Sequence, residues 1–380
     1  MVSAAAARAA DQCAGRRVLA IQDTTVVRSR GGGGLYLHPV LLVDADEGAI
    51  LGLAHAQFLS RNGGKAASRR DLPVSAKESQ RWLDGARQAS RVCASAAELT
   101  VISDRESDIY AAFADCPRGT DLLVRAAHDR ALGDGGALFE AADRAPVAKR
   151  ATLDLPAKPG RKAREASVEV RFLRVEVKKP RNGVTAGLPD SVPLTLVDVR
   201  EVEAPAGEAV HWRLLTTRAI DSVEGAIAVV DLYRRRWAIE QLFRTMKTQG
   251  FDIEGLRIEE EAPLSRLVMA SLIAAVTVQQ LVHARDGVQG PAPLRPMTDA
   301  FDPEDAPLLE AFCRKLEGKT ERQKNPHPRG SLAYAAWVCA RLGGWTGYYG
   351  KPGPMVMLNG WDRFQAAKHG LAAINAYDNV

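Results

Sequence analysis

The 380-residue sequence contains few cysteines, no long apolar run and only a small excess of charge. Its five cysteines are scattered and never form a Cys-x-x-Cys pair, which argues against a zinc site or a disulfide framework and favours a reducing compartment. No apolar run reaches the length that predicts a membrane span, and the first residues lack the apolar centre of a signal peptide. We therefore expect a cytoplasmic protein without membrane contact.

Apolar residues make up 46% of the sequence, so the chain can form a sizeable core, as two or three domains or as one large domain with insertions. The net charge of +5 is unevenly distributed. Residues 149–181 contain 11 Lys and Arg against 4 Asp and Glu, in short alternating runs that predict strands with a basic face. Such a face suits a polyanion, but it also suits a soluble sheet edge that resists aggregation, and both interpretations stay open.

The hydrophobic pattern before residue 150 predicts an α/β layout, in the order strand, strand, strand, helix, strand, helix, strand. The first strand ends at Asp23, and a later apolar run ends at Asp104. A turn is predicted at residues 31–34 and a polar loop at residues 61–74. After residue 261 the pattern predicts only helices, whose apolar surface fits either a subunit contact or an ordinary helical cap on the core.

One stretch, residues 231–247, predicts a single helix with two different faces when it is turned by about 100° per residue. The apolar face consists of Leu232, Ile239, Leu242 and Met246. The polar face consists of Tyr233, Arg236, Glu240, Arg244 and Lys247. We expect Glu240 to stay ionised, because nearby positive charge favours the charged form of a carboxylate. This face suits a metal ion next to a phosphate, although a solvated helix face with i,i+4 charge pairs is the alternative.

Two aspartates at strand ends and a glutamate on a later helix are a known means of holding two Mg²⁺ ions. The candidates are Asp23, Asp104 and Glu240. Three carboxylates are enough, since Mg²⁺ keeps waters and substrate phosphates among its ligands. Two such ions, about 4 Å apart, can activate a water or a 3′-hydroxyl and stabilise the leaving oxygen of a phosphodiester. We expect Mn²⁺ to substitute for Mg²⁺.

These residues and their spacing resemble a known family. The spacing Tyr233-x-x-Arg236-x-x-x-Glu240-x-x-x-x-x-x-Lys247 is similar to the Tyr-Arg-Glu-Lys motif of the bacterial DDE transposases of insertion-sequence family four, to which transposon five belongs. Residues 21–25, around Asp23, resemble that family's first aspartate block, and residues 103–109 resemble its second. Residues 330–344 resemble its closing helices, so the resemblance extends over nearly the whole chain from about residue 17.

The resemblance implies an RNase H-like mixed-sheet core with a β-strand insertion and an all-helical C-terminal region. The implied segments are a disordered or truncated remnant (1–16), the first part of the core (17–148), the insertion (149–206), the second part of the core (207–260) and a helical dimerisation region (261–380). It also implies cut-and-paste transposition by a homodimer in a synaptic complex on double-stranded DNA, in a bacterial cytoplasm next to the nucleoid. The steps are hydrolysis at the transposon ends, hairpin formation and opening, and strand transfer.

The resemblance assigns roles to individual residues as well. It implies that Asp23, Asp104 and Glu240 bind the two metal ions. It implies that DNA is contacted by Tyr233, Arg236, Lys247, Arg125, Trp212 and Trp237. In this scheme the tryptophans lie at a base that is flipped out during hairpin formation, since an indole stacks well on any base. Packing in the core is the other interpretation for both indoles.

The sequence also departs from the family in two places. Asp23 comes too early for the helical segment that reads transposon ends in other members, so a truncated chain that dimerises with and inhibits a full-length transposase is an alternative. A different RNase H-like nuclease, such as a junction-cutting enzyme, is a third interpretation. A lysine expected two residues after Arg125 is Ala127 here, which removes one expected phosphate contact.

Overall fold

A computed structural model describes residues 1–30, 33–61, 78–155, 162–181, 187–204, 209–287 and 294–377. The loop predicted at residues 61–74 lies almost entirely outside the described residues, as does half of the turn predicted at residues 31–34.

The described part of the chain is mixed α/β, as predicted. In chain order its elements are α1 (Val2–Cys13), β1 (Arg17–Gln22), β2 (Thr25–Arg30), β3 (Gly33–Asp44), β4 (Ile50–Arg61), α2 (Gln80–Val92), β5 (Glu98–Ser103), α3 (Tyr110–Ala114), β6 (Thr120–Arg125), α4 (Leu138–Arg144), β7 (Lys149–Leu155), β8 (Arg164–Lys178), β9 (Ser191–Glu201), β10 (His211–Thr216), α5 (Val223–Arg234), α6 (Trp237–Lys247), α7 (Glu261–Ala284), α8 (Ala306–Leu316), α9 (Leu332–Leu342) and α10 (Pro354–Tyr377).

All these strands join one mixed sheet. β3 pairs with β4 on one side and with β1 and β2 on the other, and the order then continues as β5, β6, β10, β9, β8 and β7. β1, β5 and β6 run parallel to one another, and the other pairs are antiparallel. The parallel strands lie in the middle of the sheet and are covered on both faces, which fits their almost uniformly apolar sequences.

β1 and β2 follow one line along β3 and are separated only at Asp23 and Thr24. The register is the same on both sides of this gap, since Gln22 pairs with Val40 and Thr25 pairs with Leu37. Asp23 therefore lies opposite Pro39, which has no amide hydrogen to donate to the ladder. The first candidate carboxylate thus lies at an interruption of the strand, in the interior of the sheet.

Each face of the sheet has its own apolar core. One face packs against α5, α6 and α7 through side chains such as Ile21, Val229 and Leu242. The opposite face packs against α1, α2, α3 and α4, and residues such as Leu138 and Val101 belong to it. The sheet is therefore the middle of three layers, and its two faces bury separate sets of side chains.

The predicted strands of residues 149–206 are present as β7, β8 and β9. They extend the central sheet through β10 and do not form a separate unit. In β8 the buried residues have even numbers before Phe172 and odd numbers after it. Val168 therefore faces the core under α5, whereas Val177 faces the core under α4 on the opposite side of the sheet. Part of the positive charge is paired inside this sheet, as in the ion pairs of Arg150 with Glu169 (2.9 Å) and of Lys179 with Asp190 (2.8 Å).

Residues 1–16, expected as a disordered or truncated remnant, are not disordered. They form α1, which buries Ala9 and Cys13 against β4 and α2. The approach to β4 is close, because a Cβ added at Gly52 (φ +151°) would lie 2.7 Å from the Cβ of Ala9. Gln12 also donates to the backbone oxygen of Asp299 at 3.0 Å, so α1 connects the sheet with the helical region. The short alanine-rich sequence gave little sign of this packing, because its stability comes from tertiary contacts.

The helices predicted after residue 261 are present as α7 to α10. Among the described residues, α7 is the one helix that is long and apolar enough by composition to cross a membrane, with a mean hydropathy of 1.7. The expectation that no apolar run reaches such a length was therefore wrong. The apolar character of α7 has another explanation here. In its most apolar 18 residues, 56% are buried inside the molecule, and the helix packs against α6, β4, α9 and α10.

Candidate active site

The two candidate aspartates lie side by side because of the register between β1 and β5. These parallel strands pair Ile21 with Ile102, and the same offset places Asp23 beside Asp104. Residues at matching positions of adjacent parallel strands point to the same face of the sheet. Asp104 is followed by a single 3₁₀ turn, Arg105–Ser107, which ends the strand at this point.

The helix predicted over residues 231–247 is two helices, which is a correction to the sequence prediction. α5 ends at Arg234 and α6 begins at Trp237. At the junction, Arg235 and Arg236 donate their backbone N–H groups to carbonyls three residues earlier, at 3.1 and 3.0 Å. This tighter winding interrupts the α-helical hydrogen bonds. The predicted apolar face is nevertheless confirmed, since Ile239 and Leu242 are fully buried.

Arg236 connects two of the three candidate carboxylates. One terminal nitrogen, Nη1, lies 3.0 Å from Oδ2 of Asp23, and Nη2 makes a short hydrogen bond to Oε1 of Glu240. The Arg236 side chain is only 15% exposed. On the other side, the hydroxyl of Tyr233 donates to Oδ1 of Asp104 at 3.3 Å. The structure therefore brings Asp23, Asp104 and Glu240 together around two residues of the predicted motif.

Burial and nearby charges raise the pKa of two of these carboxylates, Asp23 and Glu240. Burial raises the pKa of Asp23, and Asp104 raises it further, although Arg236 acts in the opposite direction. The pKa of Glu240 is also raised, first by burial and then by Asp23 and Asp104. The positive neighbours alone predict a lowered pKa for Glu240, and this direction is wrong because burial outweighs them.

Tyr233 and Arg236 both keep their protons in this setting. The pKa of Tyr233 is raised by burial and by Asp104, so its hydroxyl remains a donor. Burial acts to lower the pKa of Arg236, but Tyr233, Glu240 and the two aspartates raise it overall.

A buried polar network supports Asp23 from behind, and the sequence did not reveal it. Thr24 contacts Nδ1 of His38 at 2.9 Å and accepts a hydrogen bond from Nε of Arg81 at 3.1 Å. Arg81 also pairs with Glu106 at 2.8 Å, and the other ring nitrogen of His38 contacts Gln22 at 3.2 Å. Burial lowers the pKa of His38 to about 3, so this ring is neutral. These residues are far apart in the sequence, and only the fold brings them together.

An open groove of about 940 Å³ leads to Glu240. Its wall includes Arg125, Trp212, Arg234, Arg235, Arg236 and Trp237. The ring of Trp212 packs edge-to-face on Tyr233, with centroids 5.4 Å apart. The guanidinium carbon of Arg244 lies over the ring of Trp237, 5.6 Å from the ring centroid. Both indoles are half-buried, so each has one side in the protein and contributes another to the groove.

The comparison with protein-family models bears directly on this site. The sequence matches the model described as "Transposase DDE domain" over residues 38–277, which is more than half of the chain. The chain belongs to this family. Membership supports a transposase and implies DNA as the substrate. The matched stretch contains Asp104 and Glu240, whereas Asp23 lies before it and reaches the site through the pairing of β1 with β3 and β5.

A second groove of about 420 Å³ adjoins the first in this DDE domain. It is lined by Arg105, Arg125, Ala126, Ala127, Phe139, Ala209, His211 and Arg213. Buried Asp198 holds His211 from behind, at 2.8 Å from Nε2, and Asp143 pairs with Arg213 at 3.0 Å. Phe139 lies under Arg213, with the guanidinium carbon 4.2 Å from its ring centroid. Apart from Arg125, these basic residues were not among the predicted site residues, because separate loops and strands supply them.

Two of the residues predicted to contact DNA, Lys247 and Arg125, do not contact the three carboxylates. Lys247 forms an ion pair with Glu254 at 2.7 Å, at the far end of α6 from the carboxylates. Arg125 donates through Nη2 to the backbone oxygen of His211 at 2.9 Å, and its guanidinium lies where the two grooves meet. Burial lowers the pKa of Arg125, and so does the nearby charge of Arg105.

The chemistry of the site suits a divalent ion. The three carboxylates supply hard oxygen ligands. Burial, with repulsion between the carboxylates added to it, raises the pKa of Asp23 and Glu240, and a bound cation would favour their ionised forms. DDE transposases generally use divalent metals. Among the described residues no three Asp, Glu, His or Cys side chains form a ready metal-binding cluster, and Arg236 instead lies between Asp23 and Glu240.

Proposed function

We propose that this chain is a cut-and-paste DNA transposase related to insertion-sequence family four, with Asp23, Asp104 and Glu240 as its catalytic carboxylates. The observation that carries the proposal is the arrangement of these three groups. Two come from matching positions of β1 and β5, and the third comes from α6, where Arg236 connects it to Asp23. Arg236 contacts Asp23 and Glu240, and Tyr233 contacts Asp104, where the groove reaches Glu240.

In this proposal the three carboxylates hold two Mg²⁺ ions, with Mn²⁺ as a substitute. When bound, the ions supply an activated water or 3′-hydroxyl and stabilise the leaving oxygen of the phosphodiester. Tyr233 holds Asp104 in position through its hydroxyl. Arg236 and Arg125 bind phosphates beside the scissile bond, since guanidinium groups suit phosphate oxygens. Trp212 stacks on an unpaired base during hairpin formation, with Trp237 at the edge of the same groove.

The two grooves together form the proposed path of the DNA strand. They share Arg125, Ala209 and His211, so a backbone that leaves the carboxylates continues past Arg213 without a break. The α10 helix carries the exposed apolar side chains Leu371 and Ile374. We propose that this helical region forms the homodimer of the synaptic complex, because exposed apolar surface of this kind is typical of protein contacts.

The decisive experiment is cleavage and strand transfer on DNA that carries the element's own ends, with Mg²⁺ or Mn²⁺. We expect activity in the wild type and a loss on the order of 10³-fold or more in Glu240→Gln. Glu224→Gln is the matched control, because this exposed carboxylate lies on α5 away from the groove. Equal activity in Glu240→Gln and the wild type would refute the three-carboxylate mechanism.

The DNA path has its own test in the salt dependence of DNA affinity. Each lost phosphate contact reduces the slope of log K against log salt by about 0.9 on duplex DNA. We expect this reduction in Arg213→Gln. Arg200→Gln is the control, since Arg200 also pairs with Asp143, at 2.5 Å, but does not line the groove. Identical slopes for the two variants would exclude the second groove from the path.

A further inference from the structure

Arg236 donates one N–H of each terminal nitrogen to carboxylates that the proposed chemistry assigns to metal ions. Nη1 contacts Oδ2 of Asp23 at 3.0 Å, and Nη2 contacts Oε1 of Glu240. The other oxygen of Asp23, Oδ1, accepts the backbone N–H of Thr24 at 2.8 Å. Each oxygen of Asp23 therefore already has a partner within the protein.

This arrangement opposes the metal-binding role proposed for Asp23 and Glu240. A guanidinium between two carboxylates offsets the negative charge that attracts a divalent ion, and it repels that ion at close range. The same guanidinium already uses one N–H of each terminal nitrogen on these carboxylates, so it has fewer donors to offer a phosphate. Metal binding therefore requires Arg236 to leave its present partners, and a phosphate that competes for its donors favours the same movement.

The groove shows what can draw Arg236 away. Arg125, Arg234 and Arg235 lie on the same wall as Arg236, so a DNA strand that enters there places phosphates next to the Arg236 guanidinium. A phosphate is a strong competitor for a guanidinium. When Arg236 turns to the phosphate, Asp23 and Glu240 are left with uncompensated charge, which a divalent ion then neutralises.

We propose that Arg236 is a latch that couples the two ligands: in the DNA-free protein it occupies Asp23 and Glu240, and a DNA phosphate releases them for the metal ion. The inference rests on the proposed function and adds a regulation of that site. It predicts that the free protein binds divalent ions weakly, and that DNA and metal each raise the affinity for the other by the same factor. The metal site is thereby completed only on DNA.

The test is the affinity for Mn²⁺, measured by electron paramagnetic resonance of the free ion. The ion is titrated into the wild type, Arg236→Gln, Arg236→Lys and Arg235→Gln, each with and without a short DNA duplex, after subtraction of binding to the duplex alone. Without DNA, we expect Arg236→Gln to bind Mn²⁺ at least about tenfold more tightly than the wild type. Arg236→Lys keeps the charge but loses the planar fork, so its affinity lies between the two.

Arg235→Gln is the matched control, because it removes the same charge one position away. Arg235 donates to the backbone oxygen of Asp46 at 2.9 Å and does not contact the three carboxylates. We expect its Mn²⁺ affinity without DNA to stay within about threefold of the wild type, since the remaining effect is only long-range. With DNA, we expect the affinity of the wild type to rise about tenfold more than that of Arg236→Gln, because phosphate ligands help both proteins but only the wild type has a latch to release.

The outcomes separate the latch from the proposed function. Equal Mn²⁺ affinities for Arg236→Gln and Arg235→Gln overturn the latch, and so does an equal gain from DNA in Arg236→Gln and the wild type; both leave the metal site intact. Absence of Mn²⁺ binding in every protein, with and without DNA, overturns the metal site and the latch together. If Arg236→Gln does not fold, as judged by its circular dichroism and melting curve, Arg236→Lys decides: an affinity equal to that of the wild type overturns the latch.

Discussion

The strand-borne and the helix-borne carboxylates reach the same site by different means. Asp23 and Asp104 are placed by backbone hydrogen bonds between β1 and β5, with a buried polar network behind Asp23. Glu240 is placed by the packing of α6 on the core and by one ion pair with Arg236. Backbone ladders fix a register, whereas a packed helix can shift by small amounts. We therefore regard Glu240 as the adjustable member of the set.

The largest expected effect comes from loosening the helix. Leu242→Ala removes a fully buried side chain under α6, and we expect it to lower the free energy of unfolding by about 3 kcal/mol. Because Glu240 is then held less firmly, the cleavage rate of the folded protein should fall by about tenfold. Urea denaturation and single-turnover cleavage measure the two quantities.

The matched strand variant is Ile102→Val, at a buried position of β5 two residues before Asp104. We expect a loss of about 1 kcal/mol in stability and a cleavage rate within about twofold of the wild type. A rate loss in Ile102→Val as large as that in Leu242→Ala would contradict the distinction between rigid strands and an adjustable helix.

The next effect concerns the network behind Asp23 and its dependence on pH. His38 has a pKa of about 3 in the folded protein against an ordinary value of 6.5, because it is buried and faces Arg81 and His55. Between about pH 3 and pH 6.5, the unfolded chain therefore carries a proton on His38 that the folded chain does not. The contribution of His38 to stability is complete above pH 6.5 and is lost as the pH decreases, by about 2 kcal/mol at pH 5.

Urea midpoints at pH 7.5 and pH 5 measure this dependence. His38→Gln should be less stable at pH 7.5 but should lose about 2 kcal/mol less than the wild type between the two pH values, since the titrating group at this position is gone. The loss due to His283, whose pKa burial lowers to about 4, remains in both proteins. The same pH dependence in His38→Gln and the wild type would show that other groups cause it.

A smaller effect is expected from the hydrogen bond between the Tyr233 hydroxyl of α5 and Asp104. Tyr233→Phe removes the donor to Asp104 and leaves the ring packed on Trp212. We expect a loss of about 1 kcal/mol, measured by thermal unfolding, because one buried hydrogen bond is lost with little change in shape. Trp212→Phe is a useful comparison, since it keeps the hydrogen bond and alters only the ring contact.

The smallest effect is expected at the far end of α6. Lys247 and Glu254 are 23% and 53% exposed, so a double-mutant cycle of Lys247→Gln and Glu254→Gln should give a coupling below about 1 kcal/mol. DNA affinity measured on the same variants adds the functional test. A loss of affinity in Lys247→Gln but not in Glu254→Gln would support the predicted DNA contact of Lys247.

The sequence alone determined a large part of this protein. The apolar runs that end at Asp23 and Asp104 predicted the two central strands, and the spacing from Tyr233 to Lys247 predicted which helical residues turn toward them. These features are local, because a strand or a helix face is specified by periodicity over a few residues. The helices after residue 261 were predictable for the same reason.

Tertiary structure decided the rest. The break at Arg235 and Arg236 has no proline or glycine to announce it, and it depends on how α5 and α6 pack on the sheet. The raised pKa of Glu240 follows from burial, which periodicity does not measure. The pairing of Arg236 with Asp23 spans more than two hundred residues. Such contacts arise only when the chain closes on itself, because charges and hydrogen bonds depend on distances that the sequence does not contain.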